Sequence, residues 1–175
     1  ASGNPLTAED VVFSLPRAVL LNKTPAFILN QFGLTKDTDK DKVRQVGTHT
    51  VVFQTDNEYA PSFVYNCLTA NIAAIVDKKL VLSNEKAGDM GYGWLKTNYA
   101  GSGPMKLREW RANEIIAMEA NPNYYGTKAK LARVIYRHAK EASAQRLLLE
   151  KGDVDVARNL SPTDLDALAK NKDIK

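Results

Sequence analysis

At Val43 the spacing of apolar residues changes, and that change limits the chain to a mixed architecture. Ahead of it, Thr7-Ala8-Glu9-Asp10 carries a helix-capping pattern, and Val11, Val12, Leu15, Ala18 and Val19 form one apolar stripe. Beyond it, Val43 and Val46, a Gly47-Thr48 turn, and Val51, Val52 and Phe53 read as a hairpin of β-branched strands with His49 at its bend. A chain holding both periods, with no internal repeat, mixes hairpins with helix-strand units. It is predicted to be α+β.

Punctuation supplies the remaining elements. Pro16 predicts a kink or break in the first helix, and Pro25 opens a short second one carrying Phe27, Ile28 and Leu29, closed by Gly33. Pro61 starts a helix bearing Phe63, Val64, Cys67 and Leu68. Ile72 to Val76 reads as a buried strand entering a helix over 78–84. Gly101-Ser102-Gly103-Pro104 is a turn that opens a second hairpin, 105–110 with 114–120. A strand over 132–138 follows, then a helix over 139–151 with Ala142, Leu147 and Leu148 inward and Gly152 as its cap. A short strand, Asp153 to Val156, leads to a last helix started by Ser161-Pro162 and carrying Leu165 and Leu168. A lobe boundary is expected near Asn98.

Charge and cysteine content narrow the function. Among 175 residues, 24 Lys and Arg oppose 20 Asp and Glu, a formal +4, and the signs alternate through Lys36-Asp37 and Asp39-Lys40-Asp41-Lys42. Mixed signs cancel a long-range field, so no nucleic-acid partner is expected. The unbalanced stretch Lys128, Lys130, Arg133, Arg137 and Arg146 reads as a solvated face. No apolar run approaches the ~20 residues of a membrane span, so this segment is not expected to insert into a membrane. The start Ala1-Ser2-Gly3-Asn4-Pro5 shows no basic and apolar leader, which suggests a segment cut at a loop.

Cys67 is the single cysteine, so an internal disulfide and a Cys-rich metal site are both out of reach. Its place on an apolar helix face predicts a buried packing thiol. No His-Glu-x-x-His helix, phosphate loop or Gly-x-Ser-x-Gly elbow occurs, and His49 and His138 read as surface histidines. No catalytic, metal or cofactor residues are assigned. Asp153 and Asp155 would share one face of a strand but serve equally as punctuation. Trp94, Trp110, Tyr124 and Tyr125 are candidates for a ligand surface or for loop anchors.

Four motifs resemble family 5 extracytoplasmic solute-binding proteins, the dipeptide and oligopeptide receptors of bacterial ABC importers. Leu6-Thr7-Ala8-Glu9-Asp10-Val11-Val12-Phe13-Ser14-Leu15 with Arg17 is similar to the family's LTAEDVVFSLxR start. Gly101-Ser102-Gly103-Pro104-Met105-Lys106-Leu107 with Trp110 resembles GTGPYKLxxW. Asn121-Pro122-Asn123-Tyr124-Tyr125-Gly126 resembles NPdYwG, and Gly152-Asp153-Val154-Asp155 resembles the GEiD turn. Pro16, Ser102 and Met105 depart from the family pattern. All four motifs stand in the family's order.

The resemblance implies a periplasmic-binding-protein type II-like fold, dipeptide-binding-protein-like, with this chain as a partial one. Residues 1–97 would be a small accessory subdomain and 98–175 the start of the main lobe I. It implies no enzymatic activity, a periplasmic or extracytoplasmic location, a peptide or other solute as ligand, and ABC permease subunits as partners of the full-length protein. The groups that hold a peptide's termini would come mainly from a lobe beyond this segment. Phe27, Arg158 and Asn159 are the wall candidates that the resemblance points to here. Other readings are the same fold with nickel, haem, an opine, glutathione or an oligosaccharide; a Cys67 hydrolase; or a surface adhesion or signalling module.

Overall fold

The computed structural model describes residues 2–174. In chain order the elements are α1 (Ala8–Leu21), α2 (Phe27–Asn30), α3 (Asp39–Lys42), β1 (Val43–Gly47), β2 (Thr50–Phe53), α4 (Pro61–Leu68) and α5 (Lys78–Ser83). They continue as β3 (Met105–Arg111), β4 (Ile115–Ala120), β5 (Arg133–Arg137), α6 (Ala142–Glu150) and α7 (Pro162–Leu168). Strands β1 and β2 form an antiparallel pair with Val43 opposite Phe53, and β3, β4 and β5 form a sheet in that order. Helices and hairpins share the chain, as the period change requires.

By packing, the chain divides into two compact units, one of Ala1–Arg108 with Met118–Arg133 and the other of Glu109–Ala117 with Val134–Lys175. The first is built around α1. Leu15, Ala18 and Val19 meet Leu29, Leu34, Val43 and Ala73 in one buried cluster. Phe32, fully buried, stands edge-on to Phe53, Tyr59 and Phe63 at 5.8, 5.1 and 5.8 Å between ring centroids. Edge-on rings place a positive rim against a negative face, which adds to the area they bury.

Of the kink or break predicted at Pro16, the break does not occur: helix α1 is continuous through it. A polar stripe on the helix offsets the cost of the proline, about 3 kcal/mol in a free helix from the missing hydrogen bond and the ring clash together. Asp10, buried, accepts from the Thr7 amide at 2.8 Å and from the Lys78 amide at 2.9 Å. Ser14 Oγ donates to the Asp10 carbonyl at 2.6 Å and accepts from the Val76 amide at 3.0 Å. Arg17 Nε donates to the Met90 carbonyl at 2.7 Å. These residues lie on one side of the helix, three and four apart, and straddle Pro16. They stitch α1 to the loops that pass it.

The same stitches correct a second expectation. Ile72 to Val76 is not a strand: a 3-10 turn occupies Asn71–Ala73 and extended chain follows. A strand needs a ladder partner, and here the Val76 amide is met by a side chain, Ser14, and the Asp77 amide by the Ala100 carbonyl at 2.8 Å. Helix α3, in the alternating charge run, is an element that the charge reading did not predict. Its Lys42, buried, pairs with the exposed Asp56. Gly33 does not cap α2 directly, since Gln31 follows the helix; its φ of +82° and the Asp56 carboxylate, which stands where a Cβ would go, favour glycine there.

In the second unit, Ser161 Oγ accepts from the Asp164 amide at 3.2 Å and so caps α7, as predicted. Gly152, at φ +75°, ends α6, with the Gly152 and Asp153 amides bonded to the Leu149 and Leu148 carbonyls. That turn uses the Asp153 amide, and residues 153–156 form no strand, contrary to expectation. Leu148 is half-buried on α6, whereas Leu147, expected inward, is 50% exposed.

Candidate functional site

A concavity of about 290 Å³ lies in the first unit, lined by Trp94, Thr97, Asn98, Tyr99, Lys106, Leu107 and Arg108. One side comes from the 3-10 turn Trp94–Lys96 and the chain after it, the other from β3. Alternation along a strand puts Lys106 and Arg108 on the same face of β3.

Tyr99 is fixed by the Gly101-Ser102-Gly103-Pro104 turn. Its hydroxyl accepts from the Gly103 amide at 3.0 Å, and its ring lies against Gly101, where a Cβ would come within 2.9 Å of ring atoms. The first glycine of the motif is therefore spacing for an aromatic ring. Asn121 closes the turn from the other side: Nδ2 donates to the Gly103 carbonyl at 3.0 Å and its amide to the Pro104 carbonyl at 2.8 Å. The glycine motif and the Asn-Pro motif meet here.

Electrostatically the groove is positive. Glu119, on β4, sits 3.1 Å from Lys106 Nζ and 3.7 Å from the Arg108 guanidinium. The hydrogen bond from Lys106, aided by the charges of Lys106, Arg108 and Arg133 and only partly opposed by desolvation, holds the Glu119 carboxyl below its ordinary range. One carboxylate thus faces three cations. At 3.7 Å Arg108 is beyond hydrogen-bond range of Glu119.

The wall candidates fall in different units. Phe27, at the start of α2 in the first unit, is 67% exposed, so its ring is not part of the core. Arg158 and Asn159 are exposed in the second unit, in the loop between α6 and α7. The Arg158 amide is held by Gln145 Oε1 at 3.2 Å, and Asn159 has φ +59°, a conformation that costs most residues with a side chain about 1–2 kcal/mol and asparagine less.

Other singled-out residues find ordinary places. Cys67 is half-buried, not fully buried as expected, with Gln31 Nε2 3.5 Å from its sulfur. Asp153 and Asp155 are exposed loop residues. Among the described residues no group of three or more His, Cys, Asp or Glu side chains is placed to hold a metal ion. In the basic stretch, Arg146 is 3.3 Å from Glu150 and 3.2 Å from Asp164, while Arg133 and Arg137 are exposed. No helix among the described residues is long and apolar enough to cross a membrane. Of the groove, sequence reasoning singled out Trp94 alone as a ligand candidate. The signal for the rest was the alternation of Lys106 and Arg108 on one strand with an acid on the next.

Comparisons with known proteins bear on the whole chain. The family model for bacterial extracellular solute-binding proteins, family 5 Middle, matches residues 1–175. A probable D,D-dipeptide-binding periplasmic protein, DdpA, of Escherichia coli K12 is 35% identical over 168 residues, covering 96% of this chain and 30% of its own length. The structure of DppA from Helicobacter pylori in complex with the peptide STSA superposes with a TM-score of 0.77 at 24% identity, covering 95% of this chain and 33% of that one. MoaA from A. tumefaciens R10, in complex with mannopinic acid, gives 0.79 at 23% identity over 98% of this chain and 32% of that one. The fold is therefore that of the dipeptide-binding type of periplasmic binding protein, and the chain spans about 30% of the length of the curated relatives it matches.

Proposed function

Because the chain belongs to the bacterial extracellular solute-binding proteins of family 5, we propose that it forms one wall of a two-lobed receptor that binds di- or oligopeptides outside the cytoplasm for an ABC importer. The observation that carries this reading is the family match along all 175 residues, joined by 35% identity to a probable dipeptide-binding protein. Residues 1–97 serve as the accessory subdomain and 98–175 as the start of the main lobe.

The protein is a binder, not an enzyme, and its work is mechanical. A ligand that touches two lobes favours their closed arrangement, because it makes more contacts there than in the open one. The closed form then docks on permease subunits. Backbone hydrogen bonds give affinity that tolerates varied side chains, and water fills what a small side chain leaves. Phe27, Arg158 and Asn159 contribute to the wall, with the left-handed Asn159 holding the loop before α7 in shape.

Exposed apolar residues support the two-lobed reading. In the second unit Ile135, Tyr136, Val156 and Leu165 are 57, 53, 74 and 54% exposed. Ile135 and Tyr136 follow one another on β5, so apolar side chains are left showing on both faces of that strand. Calorimetric titration of the whole gene product with di- to pentapeptides tests the proposal: saturable heat for at least one length class is expected. A flat titration across the set, with a different solute found by mass spectrometry in the purified protein, would replace peptides with that solute.

A further inference from the structure

The groove between Trp94 and β3 has a chemistry that peptide main-chain recognition does not account for. Its walls are two aromatic rings, Trp94 and Tyr99, and two cations two residues apart on one strand face, Lys106 and Arg108. Tyr99 is held by a hydrogen bond to the Gly103 amide, so its wall is set before any ligand arrives. Lys106 is pinned by Glu119 at 3.1 Å, while the Arg108 guanidinium makes no side-chain hydrogen bond among the described residues and lies 3.7 Å from that same carboxylate. Arg133 adds its positive charge to the Glu119 neighbourhood. At ~30 Å³ per water-sized unit, the 290 Å³ concavity has room for about ten non-hydrogen atoms.

We propose that this groove binds a small organic carboxylate with a planar apolar body, the headgroup on Lys106 Nζ and the Arg108 guanidinium and the body against Trp94 and Tyr99. A guanidinium offers paired donors that match the two oxygens of a carboxylate. The rings select a planar body over a bare inorganic anion, which would gain nothing from them. The site goes beyond the peptide reading and holds or fails whatever the peptide titration returns.

The probes are phenylacetate, its neutral isostere phenylacetamide, and acetate, each titrated against the whole gene product and followed by saturation-transfer NMR and calorimetry. Phenylacetate should bind at least about tenfold more tightly than phenylacetamide, the scale of one charge-assisted hydrogen bond. Arg108→Gln and Lys106→Gln should each remove most of that preference, and Trp94→Ala should weaken phenylacetate more than acetate. Arg111→Gln, an exposed arginine on β3 that does not line the groove, should leave all three unchanged and so separates a site from a general charge effect. Absence of phenylacetate binding, equal binding of acid and amide, or an unaltered preference in folded Arg108→Gln protein would each overturn the proposal.

Discussion

The two compact units are held together by different forces. The first buries Phe32, Leu29, Leu34, Val43 and Val81 almost completely; in the second the buried apolar side chains among the described residues are Ala117 and Leu168. What the second unit has instead are polar ties: Asp164 receives Ser161 Oγ at 2.5 Å and Arg146 at 3.2 Å, and Gln145 bridges the Ala139 carbonyl and the Arg158 amide at 2.9 and 3.2 Å. Such ties fix geometry at small net free energy. The first unit is stabilised by its core, and the second is shaped by its loops.

Truncating the core tests that contrast most severely. Leu29→Ala should cost about 3.5 kcal/mol, the middle of the range for buried leucines, whereas Leu147→Ala on α6 should cost less than ~1 kcal/mol. Native-state hydrogen exchange in each unit measures both, and equal losses would break the distinction. Asp10→Ala sharpens it by asking how much of the first unit is polar. Loss of the charge-assisted bonds from the Thr7 and Lys78 amides should cost about 2 kcal/mol, with faster exchange at Lys78.

Gly33→Ala should cost about 1.5 kcal/mol, from a left-handed backbone and a displaced Asp56. An unchanged urea midpoint would show that the Lys42 and Asp56 pair tolerates the shift. In the second unit Asn159→Gly should do the opposite and stabilise by up to ~1 kcal/mol, because glycine adopts that φ without strain.

The smallest effect concerns acid. Burial raises the Asp77 pKa, but hydrogen bonds from Ser2, Leu80, Asn4 and Lys79 together outweigh it and leave the carboxyl below its ordinary value. A carboxyl depressed by folding contributes stability that is fully present above its unfolded pKa, near ~4, and is lost as pH falls through the lower folded value. Asp77→Asn should flatten that acid limb in a pH series of unfolding midpoints. A limb as steep as in the parent chain would assign the acid sensitivity to other groups.

Elements whose signals are local were legible in the sequence. The Ser161-Pro162 start of α7, the Gly152 stop of α6 and the Gly47-Thr48 bend each depend on residues within one turn of themselves. What failed depended on distant partners. Val76 lost its strand to a serine 62 positions earlier, and α1 stayed unbroken through Pro16 with Asp10, Ser14 and Arg17 tied to chain that comes much later. The groove was half legible: Trp94 stood out as an aromatic, while Tyr99 and Arg108 acquire meaning only when the turn at Gly101 brings them beside Lys106.

The contact between Gly101 and the Tyr99 ring has an evolutionary corollary. Any side chain acquired at position 101 would have to displace the phenol that lines the adjoining hollow, so a mutation that looks like a change of loop rigidity would also alter the wall of the hollow. Hairpin turn and groove wall cannot diverge separately, and lineages that acquire a larger residue at position 101 should carry a smaller one at position 99.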